Sequence, residues 1–359
     1  MSLRIGVNAL YLIPGGVGGT EIYLRNLLNA AAAGDRANTW VVFTNRETGA
    51  DLVPRAPNFV HAPQRLRAAV RPARILWEQL ALPVVAARRH LDVLFNPGFT
   101  CPLLCPCPNV TVFHDLQHKR HPEYFRWFDL PAWQFLLWGA AHRSQALIAD
   151  SAATSDDLRR YYGVDSTVIH LGVEPELFAL AERREPKRFL LCLSTLHPHK
   201  NLDRLVRAYA GLGRTDFHLV IAGLRGFHAK QLEALIASLG VSEHARITGW
   251  VPREEIRELL RTAWAVIQPS TFEGFGMPVL EAMAAGVPVA CSSIPPFRET
   301  TGGHVTMFDA TDEAAIREAM LRLLDAPPDT AAARAHARQF TWERTARETI
   351  AVLENAAAR

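Results

Sequence analysis

A chain of 359 residues is too long for one ordinary small domain and fits two, each with a substantial core. Hydrophobic residues make up 49% and charged residues 21%, which excludes a disordered chain. A formal charge of +3 is too small for a dedicated nucleic-acid binder, so no nucleic-acid partner is expected.

In chain order, residues 4–9 predict a short apolar strand, and 21–33 an amphipathic helix with Thr20 as its N-cap. Residues 40–44 predict a second strand. Segment 72–89 carries a helical pattern that Pro83 is expected to end or kink. Residues 91–95, 110–113 and 146–149 predict three more strands. Short apolar runs separated by helices imply a parallel sheet covered on both faces. The pattern then restarts, with strands over 188–193, 217–222, 246–248, 265–268 and 287–290. Helices are expected between them over 201–211, 229–239, 253–262 and 278–285, the first two closed by Gly211 and Gly240. The polar stretch 181–187 reads as a linker. It divides an N-terminal domain, 1–180, from a C-terminal domain, 181–339, with a last helix within 340–359 expected to pack back on the first domain. The fold class is α/β, two doubly wound Rossmann-like domains facing across a cleft. Ligands of such sheets bind beyond the carboxyl ends of the strands.

No stretch reaches the roughly 20 apolar residues of a spanning helix. The most apolar window, 130–141, is shorter, so any membrane contact is expected to be peripheral. With no leader ahead of Arg4, the five cysteines read as free thiols of a reducing cytosol. Cys101, Cys105 and Cys107 are interrupted by prolines and match no familiar zinc spacing, so no metal is expected there.

The motif richest in chemistry is Glu273-Gly-Phe-Gly-Met-Pro-Val-Leu-Glu281, which follows the strand 265–268. Gly274 and Gly276 let backbone approach a ligand closely. Pro278 fits a first helical turn. The amides around Phe275 and Met277, with the helix dipole, suit a phosphate. Glu281, expected in the first turn, is placed for the hydroxyls of a ribose. Glu273 lies within reach of whatever hangs from the phosphate. Taken alone, two glutamates so spaced also occur on an ordinary capped helix.

This segment resembles the E-x7-E signature of the retaining GT-B glycosyltransferases of family 4 (group 1), and the resemblance runs over nearly the whole chain. Gly15-Gly16-Val-Gly18-Gly19-Thr-Glu21 is similar to the family's N-terminal glycine loop, and Val112-Phe-His114-Asp115-Leu to its His-Asp strand end. Asp150-Ser151 followed by Asp157-Leu158, Leu193-Ser-Thr195-Leu-His-Pro-His-Lys200-Asn201 and Pro296-Phe-Arg-Glu299 follow in the family's order. The glycine loop lacks the third glycine of a dinucleotide fingerprint, and the second strand lacks a ribose-binding acid at its end, which disfavours an oxidoreductase.

The resemblance implies a retaining transfer from a nucleoside diphosphate sugar, needing no cofactor and no metal. Gly16, Gly18 and Gly19 would lie over the donor phosphates and acceptor, and His114 against the donor sugar. Lys200 would lie beside the diphosphate, Glu273 on the sugar hydroxyls and Glu281 on the ribose. Val251 would sit where main-chain groups hold the base. Thr195 stands where many relatives have an arginine; Arg225, on a later loop, is a candidate replacement. Asp115 either caps a helix or orients His114, while His118 and His121 read as surface residues. The pattern is most like bacterial GDP-mannose-dependent mannosyltransferases of surface polysaccharide assembly. A UDP-sugar donor, a UDP-sugar epimerase and a non-catalytic sugar-nucleotide binder stay open. The acceptor implied is a saccharide, free or linked to polyprenyl diphosphate.

Between Arg55 and Arg89 stand seven arginines and one acid, Glu78. Segment 65–89, with Leu76, Trp77, Leu80 and Leu82, is either a peripheral contact for the inner face of a membrane or a helix packed on the sheet with snorkelling arginines.

Overall fold

The computed structural model describes residues 2–16, 18–226 and 228–358; Val17 of the glycine loop and Phe227 lie outside the described residues. The first part of the chain runs β1 (Arg4–Asn8), α1 (Gly19–Gly34), β2 (Thr39–Thr44), β3 (Phe59–Pro63), α2 (Arg71–Arg88), β4 (Val93–Asn96), β5 (Asn109–Phe113), α3 (Gln117–Arg120), α4 (Leu130–Arg143), β6 (Ala146–Ala149), α5 (Ala152–Tyr162) and β7 (Thr167–Val168). There follow α6 (Pro175–Leu180), β8 (Phe189–Leu193), α7 (Leu202–Ala210), β9 (His218–Ala222), α8 (Ala229–Ser238), β10 (Ala245–Gly249), α9 (Arg253–Thr262), β11 (Ala265–Gln268) and α10 (Met277–Ala284). The chain ends with β12 (Val289–Ser292), α11 (Pro295–Thr301), β13 (Thr306–Phe308), α12 (Glu313–Asp325), α13 (Ala331–Ala337) and α14 (Trp342–Ala357). Two compact units result: Met1–Gly172 with Thr341–Arg359, and Val173–Phe340.

The first unit holds a parallel sheet in the order β3-β2-β1-β4-β5-β6-β7. Its central strands are buried along their length, as β5 Asn109–Phe113 shows, because helices cover both faces. The strand order reverses between β1 and β4. Beneath that point a polar ladder crosses the core: Asn8 donates to Asn96 (3.0 Å), Asn96 to Asn109 (3.0 Å), and Asn109 to the Pro102 carbonyl (3.0 Å). α14 completes this unit. Trp342 packs against Tyr23 of α1 with ring centroids 6.2 Å apart, and Thr345 donates to the His170 carbonyl at 2.8 Å. Gly172 permits the contact, because a Cβ there would lie 2.3 Å from the Trp342 amide nitrogen.

The second unit holds a parallel sheet in the order β10-β9-β8-β11-β12-β13, reversing between β8 and β11. Its core is carried by Leu190, Leu205, Leu219, Ile267 and Met320.

Several expectations need correction. The 181–187 stretch belongs to the second unit: Leu177 just before it is buried, and Arg184 donates to the Gly286 carbonyl at 2.7 Å and to that of Ala263. The Arg184 side chain anchors backbone carbonyls of the second unit rather than spanning a gap. Thr20 lies inside α1, which is entered from Gly18 at φ 58°, a conformation that favours glycine. α2 continues through Pro83, since one lost ladder bond is outweighed by Leu82 and Ala86, both buried in the core.

Candidate active site

In the second unit the loops after β8 and β11, the two strands flanking the switch point, carry the motif residues. After β8 the chain makes a single turn over Pro198–Lys200 and enters α7 from Asn201 at φ 56°. Asparagine is among the residues that tolerate this left-handed geometry. Its amide donates to the carbonyls of Pro269 (3.0 Å) and Ala310 (2.7 Å), and the Thr271 amide donates to the His199 carbonyl at 2.8 Å. The lysine turn is therefore stitched to the loop that bears Glu273. Lys200 Nζ donates to Glu273 Oε1 at 2.8 Å, and Ser270 Oγ donates to the same oxygen at 2.7 Å. The side chains are 18% and 14% exposed, which keeps the pair largely out of water but reachable. Such a pair can hand its cation to a ligand anion.

Gly276 enters α10 at φ 105°, and a Cβ there would meet Phe297 Cε1 at 2.5 Å. Thr300 Oγ1 donates to the Phe275 carbonyl at 2.7 Å, which fixes the loop from the α11 side. Gly274 is half-buried, and Met277 and Pro278 open the helix. Gly276→Ala is expected to cost about 2–5 kcal/mol, from the positive φ and the overpacking together. Urea unfolding of the variant checks this; a loss under about 1 kcal/mol would show that the loop relaxes freely.

Glu281 departs from expectation: counted from Met277 it lies in the second turn of α10, not the first, and it is buried. Its Oε1 accepts from Arg253 Nη2 at 2.6 Å. Arg253 Nε also donates to both oxygens of Glu174 (3.2 and 3.1 Å), to which Arg257 Nη2 donates at 2.9 Å. Burial alone would raise the Glu174 carboxyl, but the two guanidinium groups outweigh it and hold it below its ordinary value. Burial would likewise lower Arg253; its two carboxylates reverse that and raise it. Sequence reasoning missed this cluster. Its residues sit in Arg253-Glu-Glu-Ile-Arg257, the start of a segment read only as a helix, and Glu174 stands 79 positions away from Arg253.

Thr195 is half-buried, and its carbonyl accepts from the His197 amide at 2.8 Å. Arg225 is exposed and ion-paired with Glu233 on α8. Val251 is buried directly after β10.

In the first unit, Gly16, Gly18 and Gly19 are exposed, and the loop is held from α1 by Glu21, which accepts from the Gly15 amide at 2.8 Å. His114 follows β5. Its Nδ1 lies 2.6 Å from Asp150 Oδ2, and its Nε2 lies 2.8 Å from the Pro97 carbonyl. A carbonyl only accepts, so Nε2 carries a proton, and the carboxylate calls for a second on Nδ1. Burial opposes a charged ring, but Asp150 and the Pro97 carbonyl outweigh it and raise the His114 pKa: the geometry is that of an imidazolium. The rings of Tyr23 and Phe99 meet it edge-on at 5.0 and 5.1 Å. The carboxylate that bonds the ring is thus Asp150. Asp115 accepts from the Gln117 amide at 2.8 Å, in the turn that leads into α3. His118 is not a surface residue: it is buried against Tyr162 OH at 2.6 Å, and burial lowers its pKa to about 4.

Among the described residues no three histidine, cysteine or acidic groups gather as metal ligands. The Cys105 and Cys107 sulfurs lie 3.6 Å apart as free thiols.

Two doubly wound parallel sheets in one chain, the second with a lysine–carboxylate pair and a glycine-entered helix at its switch point, define the GT-B class. A family model described as glycosyl transferases group 1 matches residues 174–340, and one described as glycosyltransferase family 4 matches residues 17–177. Together the two models span residues 17–340, and the chain belongs to this family of GT-B glycosyltransferases. Among similar proteins, O-antigen chain mannosyltransferase B of Escherichia coli is 36% identical over 169 residues, 45% of this chain and 44% of that one. The O-antigen chain mannosyltransferase RfbU of Salmonella typhimurium is 26% identical over 279 residues, 77% of this chain and 76% of that one. The match thus spans under half the length of the first relative and about three quarters of the second. Among solved structures, sucrose-phosphate synthase from Thermosynechococcus elongatus superposes with a TM-score of 0.82 at 18% identity, over 99% of each chain. Anabaena HepE in complex with UDP and glucose does so with a TM-score of 0.75 at 18% identity, over 99% of this chain and 100% of that one. At such identity the likeness speaks to the fold alone. No helix among the described residues is long and apolar enough to cross a membrane.

Proposed function

We propose that the protein transfers a mannosyl group from GDP-mannose, with retention at the anomeric carbon, to a saccharide or polyprenyl-diphosphate-linked saccharide in polysaccharide or glycoconjugate assembly. The observation that carries the reading is the Lys200–Glu273 pair, 2.8 Å apart on the loops of the two switch-point strands. A diphosphate would draw Lys200 from Glu273, which frees that carboxylate for sugar hydroxyls. The amides of α10 add positive field at the same place, so the reading calls for no metal. Glu281 takes the ribose, Val251 the base, and His114 the sugar. Arg253 stands beside Glu281, so the ribose carboxylate is positioned rather than merely present. The anomeric carbon–oxygen bond breaks toward the diphosphate. The acceptor oxygen attacks the same face and gives its proton to the departing phosphate oxygen. An inverted product, seen by NMR, would overturn that course. The mannosyl choice draws on the two O-antigen mannosyltransferases. The UDP in HepE supports a second reading, a UDP-sugar donor. The contact read into residues 65–89 makes the protein peripheral at the inner membrane face.

The test is calorimetric binding of GDP, UDP and ADP to the wild type and to Lys200→Ala. Selective GDP binding, weakened about tenfold to a hundredfold in the variant, is the expected result. Selective UDP binding would replace the donor, and no binding of any of the three would overturn the reading.

A further inference from the structure

We propose that the outer face of α2 and α4 in the first unit docks on an anionic lipid bilayer and admits an acyl chain between the two helices. The inference deepens the peripheral contact proposed above, rests on that part of the reading alone, and is independent of the donor.

A helix that only packs on a sheet turns its apolar stripe inward. α2 does much of the reverse. Its inner face carries Glu78, 3% exposed, which accepts from Asn8 (3.1 Å) and Thr100 (3.0 Å). Gln79 is likewise tied down, donating to the Cys101 carbonyl at 2.8 Å and accepting from the Leu103 amide at 3.0 Å. The outer face shows Leu76 at 60%, Leu80 at 64% and Val84 at 48% exposure. Their spacing of four residues makes one continuous stripe. Of the four apolar residues read in this segment, only Leu76 and Leu80 face out; Leu82 is buried and Trp77 half-buried.

α4 and the turn before it add a second stripe, with Trp127 at 84%, Phe128 at 57%, Phe135 at 60% and Trp138 at 49% exposure. Between the helices lies an apolar groove of about 500 Å³, bounded by Leu76, Leu80, Trp133 and Leu136. An exposed apolar patch of this extent marks an interaction surface.

Charge decides the partner. Arg65, Arg67 and Arg71 stand exposed at the start of α2 and Arg88 at its end, with Arg126 and Arg143 flanking α4. The Arg71 guanidinium lies 4.6 Å from the Trp133 ring. Acids near this face include Asp129 at the groove, Glu123 before α4, and Glu47, which accepts from the Ala68 amide at 3.0 Å beside Arg67; the arginines outnumber them. A second copy would set arginine against arginine. A bilayer offers phosphates to the arginines, a headgroup layer to the tryptophans and hydrocarbon to the leucines.

The test is co-sedimentation of the full chain with phosphatidylcholine vesicles, with and without phosphatidylglycerol, at low and high salt. Binding to the phosphatidylglycerol vesicles, weakened by salt, is expected. Leu76→Ser with Leu80→Ser should reduce it about a hundredfold, roughly tenfold per leucine, with thermal stability and nucleotide binding unchanged. Trp127→Ala should weaken it separately. No binding to phosphatidylglycerol vesicles at low salt, or undiminished binding by the double variant, would overturn the proposal. So would a dimer in sedimentation velocity that the double variant dissociates. Loss of nucleotide binding alone would leave it standing.

Discussion

Arg253→Ala is expected to destabilise the second unit by about 3–5 kcal/mol, because it strands the buried Glu281 carboxylate without its cation and leaves Glu174 to Arg257 alone. Glu174 and Glu281 both bond this guanidinium, and the contacts reach three elements: the start of α6, α9 and α10. For a unit of this size the loss corresponds to a fall in Tm of roughly 10 °C. The pH dependence provides a second reading. Glu174 is depressed in the folded chain, so its contribution is present above the unfolded value of about 4.3 and is lost as pH falls through the lower folded one. The wild type should show this acid limb, and Arg253→Ala should flatten it. Arg253→Lys keeps the charge but not the planar fork that serves both acids, and should fall between. Denaturant unfolding across that pH range measures all three. A loss under about 1 kcal/mol in the alanine variant would mean the cluster is bypassed by water.

Asp150→Asn is expected to drop the His114 pKa from above the ordinary value of about 6.5 to below it. The ring is buried and Asp150 is the largest of the groups that offset the cost of its charge, ahead of the Pro97 carbonyl and Asp115, so the amide leaves desolvation in command. NMR titration of the ring gives the direct readout. The raised folded value makes a stabilising contribution that is full below about pH 6.5 and disappears as pH rises through the folded value. At neutral pH and below, the variant should lose about 1.5–3 kcal/mol, the range for a hydrogen bond to a charged group. Turnover tests the proposed role separately: removing the positive charge of the ring, whose two N–H groups are held by Asp150 and Pro97, by His114→Ala should lower kcat about a hundredfold to a thousandfold. An unchanged titration in Asp150→Asn would refute the imidazolium, and wild-type turnover in His114→Ala would remove the residue from the reaction.

Much of this was legible in the sequence because fully buried parallel strands print as short unbroken apolar runs; β11 Ala265–Gln268 and α9 Arg253–Thr262 fall where the pattern puts them. The strands it passed over lie at sheet edges. β3 reads Phe-Val-His-Ala-Pro and β13 is three residues long, so neither carries enough apolar sequence to stand out. Gly274 and Gly276 were visible because backbone geometry restricts which residues fit there, and the lysine turn through its resemblance to the family's. The Arg253 cluster and the Asp150–His114 bond were not, since each joins residues that only the fold brings together.

The second unit is an insertion within the first: the chain leaves at Gly172 and returns at Thr341. Asn38 donates to Glu354 of α14 at 3.3 Å across 316 positions of sequence. During synthesis, Val173–Phe340 emerges as an uninterrupted stretch before the helix that covers α1 exists. Closing so long a loop adds little to the equilibrium cost, about 0.6 kcal/mol per doubling of length, but it sets an order of events. The unit begun first on the ribosome is completed last, and until then it presents an unfilled helix-binding surface.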